Sequence, residues 1–184
     1  MDALVDFGHV RVLIDYDTGR VRCALPARSG PTTAPAASWG STEHPAGLTR
    51  PPGAWSPLAA TALFLVLAVK RAGPRRTAMR RVLRIVRAAH SVTVGPADTR
   101  QAASAVGAVR RAAWSSPDRT ACLEESAAAV LLLALRRRSV VWHHGVAPDP
   151  VRLHAWIATH DGVPIAEPAS TRACTTALTI GAAP

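Results

Sequence analysis

Residues 122–168 read CLEESAAAVLLLALRRRSVVWHHGVAPDPVRLHAWIATHDGVPIAEP, and the apolar period changes partway along. The first part is alanine- and leucine-rich, as in a buried helix, and it ends in three arginines that suit a helix C-terminus. Past Arg138, SVVWHHGV, VRLHAWIATH and VPIAEP are short runs rich in β-branched and aromatic residues, separated by APDP and by DG. CTTALTI supplies one more candidate strand. Helix first and antiparallel strands afterwards is an α+β arrangement.

Working upstream, three further helices precede this stretch. Ser56-Pro57 provides an N-cap and a first-turn proline, while KRAGP provides terminal cations, a glycine and a proline stop. In RRTAMRRVLRIVRAAH, residues Met79, Val82, Leu83 and Val86 fall at i, i+3, i+4 and i+7 with arginines opposite, which predicts an amphipathic helix. A third helix begins near Pro96 and Asp98 and carries Ala102, Val106, Val109 and Ala113 on one face.

The N-terminal HVRVLIDYDTGRVRCAL alternates apolar and polar residues around Asp17-Thr18-Gly19, a hairpin signal. A hairpin alone buries little, so it must dock on the main domain or on a partner. Residues 27–54, rich in Pro, Gly, Ser and Thr, read as a flexible linker. The expected organisation is a β-hairpin extension over 1–26, that linker, and one domain over 55–184.

Composition narrows the function. The net charge of +10 comes almost wholly from arginine, Lys70 being the one lysine among 184 residues. Arginine and alanine enrichment of this kind resembles a GC-rich coding bias, and the arginines spread over several helices without aromatic interleaving, so nucleic acid is not the expected partner. Three widely spaced cysteines argue against a disulfide framework and for a reducing, cytoplasmic compartment. No secretion signal is visible, and the longest apolar run, residues 57–69, is too short to span a bilayer.

Cys122 stands out because of its helix position. With Thr120 as N-cap it lies in the first turn, where backbone N–H groups and the helix dipole favour a thiolate; with Ser116-Pro117 as the start it lies a turn further in. Glu124 and Glu125 suit a helix start but oppose a thiolate. The candidate bases are His143, His144, His154 and His160, of which His154 shares a strand face with Trp156. Asp161 lies seven residues on, in the DG turn, which is more than about 20 Å along a strand. Glu167 lies on the returning segment. A two- or four-residue loop pairs 154 with 169 and makes Glu167 a same-face diagonal neighbour of His154, whereas a three-residue loop turns it away.

A cysteine at a helix start, HAW on a strand and an acid-proline pair on the next segment is similar to the cysteine-histidine-acid core of transglutaminase-like and papain-like peptidases. More closely, residues 122–168 resemble the leader peptidase of lasso-peptide biosynthesis. Its pattern has a catalytic cysteine, an apolar helix, a strand leading into GV, then HAW, a DG turn and EP. The 32-residue step from Cys122 to His154 suits that pattern, and the resemblance runs from about Trp55 onward.

The resemblance implies helices packed on a small antiparallel sheet and a cysteine-type hydrolase without a cofactor. Its substrate would be a ribosomally made precursor whose leader is removed before an asparagine-synthetase-like cyclase forms the macrolactam. Cys122 would be the nucleophile, His154 the base and then acid, and Glu167 its orienting acid, with Asp161 as the alternative. Residues 1–26 are too short for the fused winged-helix domain of some relatives, which implies a separate leader-recognition protein. Three rivals remain: a zinc site using Cys122 with His143, His144 and His154, a transferase on the same core, and a non-enzymatic module of basic helices. Zinc would want spacings such as CxxC or HxxxH, which are absent.

Overall fold

A computed structural model describes residues 1–25, 53–116, 120–148 and 150–181. The linker expected at 27–54 lies almost wholly outside them. The fold is α+β. Four helices, α1 (Pro57–Arg71), α2 (Ala78–Ser91), α3 (Thr99–Trp114) and α4 (Cys122–Ala134), precede the strands of the main sheet.

Local signals place three of these helices. Ser56 Oγ accepts the Ala59 N–H at 3.4 Å at the head of α1. Asp98 and Gln101 form a reciprocal capping box on α3. On α2 the predicted face holds, with Val82, Leu83, Val86 and Ala89 buried.

Helix α4 is largely apolar because it is surrounded, by α1, α2, α3 and the main-sheet segments 141–148 and 151–158. Nine of its 13 residues are buried, and its alanines let the neighbours approach closely. The helix ends at Ala134, before the three arginines; Arg137 takes a left-handed turn (φ 57°) into the strands that follow.

A three-stranded N-terminal sheet consists of β1 (Asp2–Asp6), β2 (Arg11–Asp15) and β3 (Arg20–Ala24), in antiparallel order β1-β2-β3. The predicted hairpin is β2–β3, with Asp15 Oδ1 accepting the turn N–H groups of Asp17 and Thr18 and Gly19 at φ 69°. Strand β1 was not foreseen. The inner face, with Val5, Val12 and Ile14, joins the common core. At its end the Tyr16 hydroxyl meets His144 Nδ1 at 2.9 Å, and both side chains are buried, so the extension docks on this chain's own sheet.

Short strands β4 (Gly95–Pro96) and β5 (Arg138–Ser139) form a two-residue parallel ladder. The main sheet consists of β6 (Val141–Pro148), β7 (Val151–Ala158) and β8 (Thr175–Ile180), antiparallel in the order β7-β6-β8. Trp142 of β6 donates to Ser126 Oγ of α4 at 2.9 Å, tying helix to sheet.

The expected strand VPIAEP does not form. The returning segment makes one bridge, Ala158 to Pro164, through two bonds of 3.0 Å, from the Thr159 N–H to the Val163 carbonyl and from the Ile165 N–H to the Ile157 carbonyl. Pro164 and Pro168 donate no N–H, and Ala166 is left-handed (φ 54°), so a ladder cannot continue.

Candidate active site

Cys122 is the first residue of α4. The N-cap is Ala121, one residue past the predicted Thr120, because the Glu124 carboxylate folds back to accept the Ala121 N–H at 2.9 Å. The Cys122 thiol, half-buried, hydrogen-bonds the imidazole of His154. His154 stands on β7 opposite Gly145 of β6. Its Nε2 lies 2.6 Å from Glu167 Oε2, which leaves Nδ1 for the thiol.

Glu167 is held through both oxygens. Oε1 accepts from Arg110 Nη2 at 2.7 Å, and Oε2 also accepts the Thr171 hydroxyl at 3.2 Å. Arg110, on α3, donates in addition to the Ala166 carbonyl at 2.5 Å, so one guanidinium fixes both the acid and the left-handed residue before it. That residue matters for direction. Extending the observed 158–164 register would set Pro168 opposite His154 and turn Glu167 to the other face. The kink at Ala166 turns Glu167 back toward the imidazole. The two- or four-residue register is therefore corrected, while the proximity it was meant to provide is present by another route. Asp161 is exposed in the turn beyond β7, and among the described contacts it makes none with His154.

The electrostatics follow from this geometry. Burial pulls the His154 pKa down, but the hydrogen bonds to Cys122 and Glu167 outweigh it and raise the value to about 9, so the ring is protonated at neutral pH. Burial works to raise the Glu167 pKa, yet His154 and Arg110 hold it below the usual carboxylate value. His144 is driven the other way, to about 4, by burial and by the charge of His154, and stays neutral against Tyr16. Its neighbour His143 meets Thr179 Oγ1 at 3.2 Å. His160 meets Ser139 at 2.9 Å. Among the described residues, the thiol and an acid thus converge on His154 alone of the four candidate histidines.

Sequence reasoning missed three side chains here. Lys70 binds the buried carboxylate of Glu124, and Arg110 with Thr120 holds Glu125, at 3.7 Å and 2.8 Å. The two acids that follow Cys122 in the first turn of α4 therefore each sit against a cation. Cys174 lies close enough for the charges of Cys122 and Glu167 to add to burial in raising its pKa, partly countered by Arg152.

Trp156 stacks between His154 and His143, at ring-centre distances of 5.6 and 5.2 Å, and lies across Gly145. A Cβ at position 145 would come within 2.8 Å of the indole and of the Thr175 carbonyl. Gly145→Ala is expected to destabilise the fold by about 1–3 kcal/mol through overpacking. The check is a thermal melt, in which an unchanged Tm would show that the indole yields freely.

A comparison with curated proteins and with solved structures returns no match. The family described as the transglutaminase-like superfamily matches residues 62–179, more than half of the chain. Since that stretch runs from within α1 into β8 and contains Cys122, His154 and Glu167 in one hydrogen-bonded line, the chain belongs to the transglutaminase-like superfamily.

Proposed function

We propose that this chain is a cysteine peptidase that removes the leader from a lasso-peptide precursor. The continuous line from the Cys122 thiol through His154 to the Glu167 carboxylate carries the reading, because it meets the three needs of acyl transfer: nucleophile, proton carrier and orienting acid. The agreement of the GV, HAW, DG and EP segments with the leader-peptidase pattern supports the substrate class. Partners on this reading are a separate leader-recognition protein and an asparagine-synthetase-like cyclase, all acting in the cytoplasm.

The mechanism starts from a protonated His154. Thiolate at Cys122 attacks the scissile carbonyl, and the tetrahedral oxyanion forms beside the N-terminal N–H groups of α4. His154 gives its proton to the leaving amine, which departs as the core peptide. Water then attacks the thioester while His154 takes a proton from it, and Cys122 is released with the leader's new carboxylate. Glu167 keeps the ring oriented throughout.

The test is incubation of the full chain with precursor and recognition protein, followed by mass spectrometry. The expected products are two fragments whose masses sum to precursor plus one water. A leader fragment carrying an added amine instead of water would assign the core to group transfer, and intact precursor would sink the peptidase reading.

A further inference from the structure

Helix α1 presents a second apolar face that nothing in the described structure covers. One stripe, including Leu63, Val66 and Leu67, is buried in the helical core. The opposite stripe is as apolar, yet Leu58, Phe64 and Leu65 are exposed, as is Trp55 just before the helix; Phe64 is 71% exposed. A helix that is apolar all round belongs inside a protein or against an apolar phase, and exposed patches of this kind mark contact surfaces.

Charge identifies the phase. From residue 53 to residue 97 the chain carries eight lysine and arginine residues and no aspartate or glutamate. Arg75 and Arg76, in the turn that follows α1, are exposed, as are Arg84 and Arg87 on α2. The segment that carries the stripe therefore continues into exposed arginines with no acid of its own. A protein partner is commonly met by mixed charges, whereas a basic segment with no acid of its own, beside protruding Trp, Phe and Leu side chains, matches an anionic lipid surface. Among the described residues no helix is long and apolar enough to cross a membrane, so the contact lies in the interface plane.

We propose that the outer face of α1, with the arginines that follow it, docks the protein on anionic membrane surfaces. The proposal is independent of the catalytic reading. It is tested by sedimentation of the full chain with vesicles of phosphatidylcholine and phosphatidylglycerol in equal parts, against phosphatidylcholine alone. Binding is expected to the anionic vesicles only, and to weaken steeply on raising salt from about 0.05 to 0.5 M. The double change Phe64→Ser with Leu65→Ser, and separately Arg75→Ser with Arg76→Ser, should each weaken it by about tenfold or more.

Absence of binding by the unmodified chain, or binding unaffected by both variants, overturns the proposal. So does a dimer in solution that Phe64→Ser dissociates, which would assign the face to a second copy, or capture of the recognition protein in a manner sensitive to Phe64. The substituted side chains are exposed, so a melt like that of the unmodified chain is expected. The salt response needs no variant.

Discussion

Cys122→Ala is expected to abolish precursor cleavage, a loss of roughly six orders of magnitude where one member of a catalytic unit is removed. The same variant should fold. The thiol is half-buried at the head of α4, and alanine fits there as one more small residue in a helix already built from them. His154→Ala should be nearly as damaging to cleavage, because in the proposed mechanism thiolate formation, protonation of the leaving amine and activation of water all pass through that ring. It should also leave a folded protein: Glu167 loses one partner but keeps the Arg110 guanidinium at 2.7 Å, so no buried carboxylate is left without a counter-charge. The two variants together should be no worse than either alone, since both remove the same unit. The measurement is single-turnover cleavage followed by mass spectrometry, with a thermal melt of each variant alongside. Cleavage surviving in a folded Cys122→Ala protein would remove the peptidase assignment whatever the geometry.

Much of the helical half is legible in the chain because its signals are local. Ser56-Pro57, the Asp98 capping box and the spacing of Val82, Leu83 and Val86 each lie within one or two turns, and each decides an element by itself. The positions of β6, β7 and β8 are legible for the same reason. The surroundings of Cys122 are not. Lys70 and Glu124 are separated by 54 residues and Arg110 and Glu167 by 57, so nothing near either partner announces the pair. An arginine on α3 reads as one more solvated cation until the fold brings α3 beside the loop after β7.

The acid is the instructive residue. Choosing Glu167 over Asp161 needed only distance along a strand, which the sequence supplies. The strand register invoked to aim Glu167 was wrong in parity, since the observed bridge places it on the far face. A left-handed alanine, which no propensity foretells, restored the direction, and Arg110 holds that alanine's carbonyl in place. Backbone geometry imposed by a long-range contact here replaced the alternation of a strand.

Glu167→Gln then tests both the acid and its electrostatics. The amide keeps the size of the side chain but gives up the charge that His154 and Arg110 share. Removing it should lower cleavage by about 10²- to 10⁴-fold, the range in which loss of an orienting carboxylate falls. Asp161→Asn should stay within about twofold of the unmodified chain, because its side chain is exposed and apart from the ring. The pH response separates an electrostatic effect from a merely structural one. The folded pKa of His154 is raised from 6.5 to about 9, so the protonated ring contributes stability fully below 6.5 and loses it as pH rises toward 9. Glu167, lowered from 4.5, contributes above 4.5 and loses its share as pH falls through its folded value. The basic limb of kcat/KM should accordingly fall near pH 9 in the unmodified chain, as a property of the coupled thiol and imidazole. In Glu167→Gln that limb should move to lower pH, because the burial that pulls His154 down is then opposed by one interaction fewer. A limb that stays in place while the rate falls would show that Glu167 positions the loop without acting on the imidazole. A larger loss in Asp161→Asn would overturn the choice of acid outright.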